Sequence, residues 1–212
     1  MDGLNELCLN RSVQDRQEPA ETEERALYKR VIRSADALFK KVGFRGVTME
    51  AVAREAVVAK ATLYSYFRNK DELFIAVSAR IAEGHRAGFT AALANAAGKT
   101  LDERVAAAIV GRRASLFTYM ASSPHAEDLI SHKHQLAGDI FVRSDEFMLR
   151  LLTSALREDS VLKPSAARLA RALFYGSAQI GVNSASRTVL EADLEAFVMT
   201  HLAGARALAD RT

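Results

Sequence analysis

The sequence contains few of the residues that build disulfide-stabilised, low-complexity or membrane-spanning proteins. Its 212 residues include one cysteine, three prolines and no tryptophan. A single cysteine, Cys8, excludes an intrachain disulfide and favours a reducing compartment. No uncharged apolar run reaches the roughly 18 residues of a membrane span, and Asp2 and Glu6 stand where a secretion signal needs positive charge. We therefore expect a globular, cytoplasmic protein.

The positive charge is concentrated in one segment of the chain. Residues 25–70 carry eleven lysines and arginines against three acidic residues, a net charge of +8. Residues 1–24 sum to −5, and residues 71–212 sum to zero. A basic block of this kind attracts polyanions, because the phosphates that it neutralises release their counterions. A solvated basic face without a partner is the alternative that charge alone leaves open.

Helical periodicity runs through the chain after residue 24. Apolar residues recur at steps of three and four, no β-hairpin signal appears, and no proline falls inside a predicted helix. The pattern predicts an all-α fold of about nine helices, the first ending near Gly43. A short polar sixth helix over 125–135 and a separate seventh over 140–155 are expected. Residues 1–23, which are acidic and lack this period, are predicted to form a disordered arm.

Two short predicted helices separated by a tight turn lie inside the basic block. Thr48 is a suitable cap for the first, and Leu63 and Phe67 share the inner side of the second, which covers about residues 60–67. The outer side carries Lys60, Thr62, Tyr64 and Tyr66. Hydroxyl groups there can donate to phosphate oxygens. The order of elements is typical of a helix-turn-helix, whose second helix enters the major groove of DNA.

The residues around this motif resemble the TetR family of bacterial transcriptional regulators, with some similarity to its AcrR-type branch. The resemblance covers about residues 25–84 and rests on Gly43-Phe44, Val47-Thr48, Ala53, Ala56, Thr62-Leu63-Tyr64, Tyr66-Phe67 and Asn69-Lys70-Asp71-Glu72-Leu73. It implies a three-helix DNA-binding domain at 24–84, with the helix-turn-helix at about 47–66. It also implies a helical domain at 85–212 that binds a small molecule and dimerises.

The function implied by this resemblance is that of a homodimeric repressor which a small-molecule effector releases from double-stranded operator DNA. The residues expected at the DNA are Arg45, Thr48, Lys60, Thr62, Tyr64, Tyr66 and Lys70. The sequence departs from the family pattern at Val57, Ala59 and Ala61, where glycine, serine and glycine are usual. Val57 would resist a positive φ and Ala59 offers no side-chain cap, so we expect a turn that differs in detail from the family's or is looser.

The remaining candidate residues lie in the predicted C-terminal domain. The predicted effector-binding residues are Phe89, Ile109, Arg112, Phe117, Met120, Phe147, Met148 and Phe174. For each apolar member of this set taken alone, plain core is the favoured alternative. The last two predicted helices have wide apolar faces, which favours a four-helix dimer interface. The predicted dimerisation residues are Leu173, Ile180, Leu194, Phe197, Val198 and Leu202.

No catalytic centre, metal site or cofactor is predicted. His132 and His134 are two residues apart and point to opposite sides of a helix, so they form no metal site with His125. There is no glycine-rich phosphate loop and no nucleophile elbow. We therefore do not expect an enzyme. The alternative function is a helical dimeric binding module whose basic face meets an acidic protein or a membrane surface.

Overall fold

The computed structural model describes residues 23–95 and 97–209, and these fold into eight α-helices without any β-strand. The helices are α1 (Glu23–Gly46), α2 (Met49–Glu55), α3 (Lys60–Tyr66), α4 (Lys70–Ala94), α5 (Leu101–Ala121), α6 (Ala126–Leu156), α7 (Ala166–Asn183) and α8 (Arg187–Ala209). A 3-10 turn at Lys163–Ser165, which contains Pro164, precedes α7. The predicted all-α class is confirmed. Residues 1–22 of the predicted arm, with Cys8, lie outside the described residues.

The two helices predicted over 125–135 and 140–155 form one helix, α6, of 31 residues. The predicted break was wrong. A glycine inside a helix costs about 1 kcal/mol relative to alanine, which does not end a helix whose flanks are held by packing. Ala137, Ser144 and Met148 are buried on either side of Gly138, and the Ser144 hydroxyl donates to the Ala82 carbonyl oxygen of α4 at 3.4 Å.

The N-terminal core is formed by α1, α2, α3 and the first turns of α4. The regular helix of α1 is interrupted at Gly43, which adopts φ 72° and ψ 170°, close to the predicted end. A Cβ atom at Gly43 would lie 3.1 Å from the carboxylate of Asp128, so the close approach of α6 also requires glycine. Beyond this bend, Phe44 turns inward and stacks on Phe39, with ring centroids 5.9 Å apart.

The two halves of the molecule share α4 and α6. The predicted domain boundary between residues 84 and 85 falls inside α4, which continues without interruption into the C-terminal half. Leu129 and Leu136 near the start of α6 pack against the N-terminal core. The end of α6 joins α5, α7 and α8 in a second core. No helix in the described ranges has an apolar stretch long enough to span a bilayer.

Candidate nucleic-acid interface

The second helix of the motif, α3, is anchored on one side and open on the other. Leu63 is fully buried and Phe67 nearly so, whereas Lys60 is exposed and Tyr64 keeps 39% of its surface exposed. Thr62 is half-buried. Short helices depend on tertiary packing because their own hydrogen bonds are few. The Leu63 contact therefore fixes α3 in an orientation that presents Lys60 and Tyr64 to the solvent.

An exposed ion pair joins the outer surfaces of α2 and α3. The Nζ atom of Lys60 lies 2.5 Å from the Glu50 carboxylate and 5.6 Å from the centroid of the Tyr64 ring. The hydrogen bond from Lys60 lowers the pKa of Glu50, and the same bond raises the pKa of Lys60. Lys60 is therefore charged, but part of its charge is compensated within the chain.

Tyr66 differs from Tyr64 in its surroundings. Its hydroxyl donates to the Glu24 carboxylate of α1 at 3.2 Å, and its ring packs edge-on against Tyr28 at 6.1 Å. Burial, followed by the hydrogen bond to Glu24, raises the pKa of Tyr66. The hydroxyl predicted to contact phosphate is thus engaged in a contact between α1 and α3.

Three further predicted DNA-binding residues lie near the N-termini of α2 and α4. The Thr48 hydroxyl accepts a hydrogen bond from the Ala51 N–H at 3.2 Å and so caps α2. Lys70 begins α4, and its Nζ atom lies 3.5 Å from the Arg45 carbonyl oxygen and 4.6 Å from the Phe44 ring centroid. Helix N-termini present unpaired N–H groups and a partial positive charge. The region is suited to binding a phosphate group.

The turn between α2 and α3 keeps the geometry that glycine would favour, although it contains none. Val57 has φ 52° and is 81% exposed. Its neighbour Val58 donates its N–H to the Ala53 carbonyl oxygen at 2.9 Å. Ala59 occupies the N-cap position of α3 without a side-chain hydrogen bond. The backbone is therefore held in a left-handed conformation that disfavours a β-branched residue.

A polar joint connects this N-terminal unit to α5 and α6. The Asp128 carboxylate accepts a hydrogen bond from the Phe44 N–H at 2.9 Å, and His132 stacks on the Phe44 ring with centroids 4.1 Å apart. From α5, the Tyr119 hydroxyl donates to Asp36 of α1 at 3.4 Å. Burial, helped by Asp36, raises the pKa of Tyr119 well above its usual range. A displacement of α5 or α6 would therefore act directly on α1.

A cavity lies behind this joint, between α4, α5 and α6. The space between its walls measures about 450 Å³, but this figure includes open solvent, so the cavity itself is smaller. Its lining is mostly apolar and consists of Phe74, Ser78, Ile81, His85, Leu116, Tyr119, Met120, Leu129, Ile130, Lys133 and Phe141. Tyr119 thus belongs both to the cavity wall and to the joint with α1.

The predicted effector-binding residues and this cavity share one member, Met120. Phe89, Ile109, Met148 and Phe174 are buried in the C-terminal core, Phe117 packs against that core, and Phe147 is 37% exposed. Arg112 does not line the cavity and forms an ion pair with Asp145. The lining of α4 does follow a helical pattern, residues 74, 78, 81 and 85, but such a stripe is equally typical of core.

Four of the six predicted dimerisation residues are not available to a second copy. Leu173, Leu194, Val198 and Leu202 are fully buried in the C-terminal core of their own chain, so their assignment to an interface was wrong. Ile180 and Phe197 are half-buried. A Cβ atom at Gly176 would lie 3.0 Å from the Phe197 ring, so the two helices meet closely there. An apolar stripe alone does not tell an internal neighbour from a partner.

No group of three histidine, cysteine, aspartate or glutamate side chains is placed to hold a metal ion within residues 23–95 and 97–209. The three histidines considered from the sequence as possible metal ligands lie either in the polar joint or on the surface of α6. The His132 Nδ1 atom donates to the Asp128 carbonyl oxygen at 2.8 Å, His125 lies beside Gly43, and His134 is exposed.

The fold and the α2–α3 geometry define an all-α helix-turn-helix protein. Residues 31–77 match the sequence profile of "Bacterial regulatory proteins, tetR family". These residues therefore carry the sequence pattern of the TetR family of transcriptional regulators, and the match is confined to this segment of the chain. The resemblance read from the motif is confirmed.

Individual relatives agree with this assignment. The chain is 41% identical over 46 residues to the HTH-type transcriptional regulator YhgD of Bacillus subtilis, a match that spans 22% of this chain and 24% of that protein. A crystal structure from Mesorhizobium loti, assigned to the TetR family, superposes with a TM-score of 0.66 at 22% identity, covering 86% of this chain and 98% of that one. The fatty acid degradation regulator FadR of Bacillus halodurans gives a TM-score of 0.56 at 17% identity, covering 81% and 97%. These structural likenesses concern the fold.

Proposed function

We propose that this protein binds operator DNA as a homodimer and that a small molecule in the cavity between α4, α5 and α6 releases it. The observation that carries the proposal is the outward face of α3. Lys60 and Tyr64 are presented to solvent there, while Leu63 holds the helix to the core. Thr48 and Lys70 lie at the N-termini of α2 and α4, where they can fix phosphates while α3 meets base edges.

The proposed dimer interface uses the outer surface where α7 and α8 meet. Tyr175, Gly176 and Gln179 are exposed on α7, and His201 is exposed on α8 beside the half-buried Phe197. Isologous pairing of two such surfaces would form a four-helix contact and place two copies of α3 on one side. Entry into successive major grooves requires the two recognition helices to be about 34–36 Å apart.

The proposed release mechanism follows from the joint. A ligand that separates α5 and α6 from α4 would displace Tyr119 and Asp128, whose hydrogen bonds hold α1. Because α1 packs against α2 and α4, its displacement would change the separation of the two α3 helices and disfavour the DNA-binding state. A coupling of about 1–3 kcal/mol is typical of such systems.

The DNA-binding proposal is tested by fluorescence anisotropy with a labelled duplex from the region upstream of the protein's own gene. We expect Tyr64→Ala and Lys70→Met to weaken binding, and Lys70→Met also to reduce the salt dependence. Lys163→Met, in the turn before α7, is the matched control for loss of one positive charge. Binding that is unchanged in both variants would contradict the proposed docking. Failure to bind any duplex at low salt would favour an acidic protein or membrane partner for the basic surface.

The dimer proposal is tested separately by light scattering. Tyr175→Asp places a charge on the proposed interface and should give a monomer. Val142→Asp, at an exposed position of α6, is the control that should leave the oligomeric state unchanged. A dimer that persists in Tyr175→Asp would place the interface elsewhere.

A further inference from the structure

The wall of the cavity contains a cation that forms no direct ion pair with a carboxylate in the described part of the chain. Lys133 of α6 lines the cavity and is half-buried. Its Nζ atom lies 4.6 Å from the centroid of the Phe141 ring, a cation–π contact that holds the ammonium without neutralising it. An ammonium removed from water without an ionic partner costs free energy.

The charges behind the wall add to this imbalance. Arg112 and Arg113 of α5 are also largely buried, and the carboxylate that acts on all three cations is Asp145. The negative charge of Asp145 mainly compensates Arg112, because the Arg112 Nη2 atom lies 2.6 Å from the Asp145 Oδ1 atom. Arg113 is directed away to the Ser177 hydroxyl and the Phe174 carbonyl oxygen. Three positive charges thus share one negative charge.

His85 supplies a neutral donor on the same wall. Burial, with the nearby charges of Arg112 and Lys133, lowers its pKa to about 4, so its ring is neutral at pH 7. Arg112 has only N–H groups to offer, so its contact of 3.1 Å with the His85 Nδ1 atom requires that atom to accept. The ring proton is therefore on Nε2, which remains available as a donor.

The rest of the cavity lining is apolar and indicates that the other part of the ligand is apolar too. Phe74, Ile81, Leu116, Leu129, Ile130 and Phe141 surround the cavity with apolar surface. The site thus combines an apolar chamber with one unpaired ammonium and one imidazole N–H. An amine ligand would be repelled by Lys133 and the arginines behind it, and a neutral hydrocarbon would leave Lys133 uncompensated.

We propose that the effector is a small amphipathic anion, an apolar chain with one carboxylate or phosphate group, whose head pairs with Lys133 and accepts from His85. This inference rests on the proposed effector role of the cavity and specifies the class of ligand. The anion would supply the counter-charge that the folded chain lacks at this point, and its chain would fill the space beside Leu116 and Leu129. Binding would place the head group between α4 and α6.

The proposal is tested by isothermal titration calorimetry of the full chain with four probes of one chain length. Octanoate and octyl phosphate carry the two candidate head groups, octanol carries none, and octylammonium carries the opposite charge. We expect the two anions to bind at least about tenfold more tightly than octanol, as one charge-assisted contact would give, and octylammonium to bind most weakly. Comparison of the two anions identifies the preferred head group.

Two variants assign the preference to Lys133. Lys133→Met keeps the length of the side chain and should reduce octanoate affinity to that of octanol, whereas Lys133→Arg should retain the preference. Lys99→Met, at an exposed position before α5, controls for the loss of one charge. Without ligand, Lys133→Met should also raise the melting temperature by about 2–4 °C, since it removes an unpaired, partly buried charge.

Equal binding of anion, alcohol and amine, or an anion preference that survives in Lys133→Met, would overturn the proposal, as would no binding of any probe at millimolar concentration. DNA binding is measured independently by anisotropy. A protein that binds its duplex but shows no anion preference would retain the proposed function and lose this inference. A protein that binds octanoate through Lys133 but binds no DNA would retain this inference about the ligand and lose the proposed DNA-binding function.

Discussion

The carboxylate of Asp128 accepts a hydrogen bond from the main-chain N–H of Phe44 across 84 residues of sequence, at 2.9 Å. Asp128 lies in the first turn of α6, and Phe44 follows the bend at Gly43 that ends the regular part of α1. The contact satisfies a backbone donor that has left its helix. It also connects a wall of the cavity to the helix on which α2 and α3 are packed.

Replacing Asp128 should destabilise the fold. In Asp128→Ala the Phe44 N–H loses its acceptor while remaining largely buried, so we expect a loss of about 1–3 kcal/mol in the free energy of unfolding. Asp128→Asn keeps a side-chain oxygen and should lose less. Urea denaturation measures both, with Glu127→Ala, an exposed neighbour on the same turn, as the control. A stability equal to that of Glu127→Ala would show that the bond contributes nothing.

Replacing Val57 should have the opposite effect. Its φ of 52° is unfavourable for a residue with a β-branched side chain, and its exposure means that little packing is lost on removal. We expect Val57→Gly to stabilise the protein by about 0.5–1 kcal/mol, after the greater freedom of glycine in the unfolded chain is subtracted. Val57→Ala removes the branch but keeps Cβ, so its gain in thermal denaturation should be smaller. If alanine and glycine behave alike, the backbone conformation is not the source of the strain.

The ion pair between Glu50 and Lys60 predicts a variant with stronger DNA binding. Glu50→Gln removes a negative charge from the surface that would face phosphates and releases Lys60 from its partner. We expect a few-fold higher affinity for duplex DNA and a steeper dependence on salt concentration, both measured by anisotropy. Glu83→Gln, which breaks the exposed pair with Arg80 on α4, is the matched control. Weaker binding by Glu50→Gln would mean that the pair itself positions α3 for DNA.

The buried His85 predicts how stability depends on pH. Its pKa of about 4 in the folded protein lies below the ordinary value of 6.5, so the unfolded chain takes up the proton first as the pH falls. This histidine therefore makes the protein progressively less stable from about pH 6.5 down to about pH 4, and adds no further change below that. His85→Gln should flatten the curve of unfolding free energy over this window, whereas His134→Gln, on the exposed side of α6, should not. Parallel curves for the two variants would contradict the assignment.

The helix-turn-helix could be predicted because its signals are local. Thr48 caps α2, Leu63 is buried, and Ala59 leaves α3 without a side-chain cap, as these residue types led us to expect. Val57, in contrast, keeps a positive φ although its β-branched side chain disfavours it. The uncapped start of α3 follows from the chemistry of one residue. Such features depend on neighbours within a few positions, and sequence patterns report them well.

The features that the sequence did not reveal depend on which surfaces meet across the molecule. Leu194, Val198 and Leu202 form an apolar stripe whose neighbours within the chain are sufficient to bury them completely. The cavity combines residues of α4, α5 and α6 that no spacing brings together, and Lys133 within the apolar stripe of α6 was the one available signal. The Glu24 contact of Tyr66 joins positions 42 residues apart. Periodicity identifies the inner face of a helix without naming the element that covers it.

The first turns of α6 have a consequence for how this protein can be divided. Leu129 and Leu136 complete the core around Phe44 and Phe74, although they lie far beyond the end of the DNA-binding motif in the chain. A fragment cut at residue 84 would leave those rings facing water, and a chimera that received α6 from a relative would have to match their shapes. The helix-turn-helix unit therefore depends on α6 to complete its core. A functional chimera would have to take α1–α4 and the first turns of α6 from the same protein.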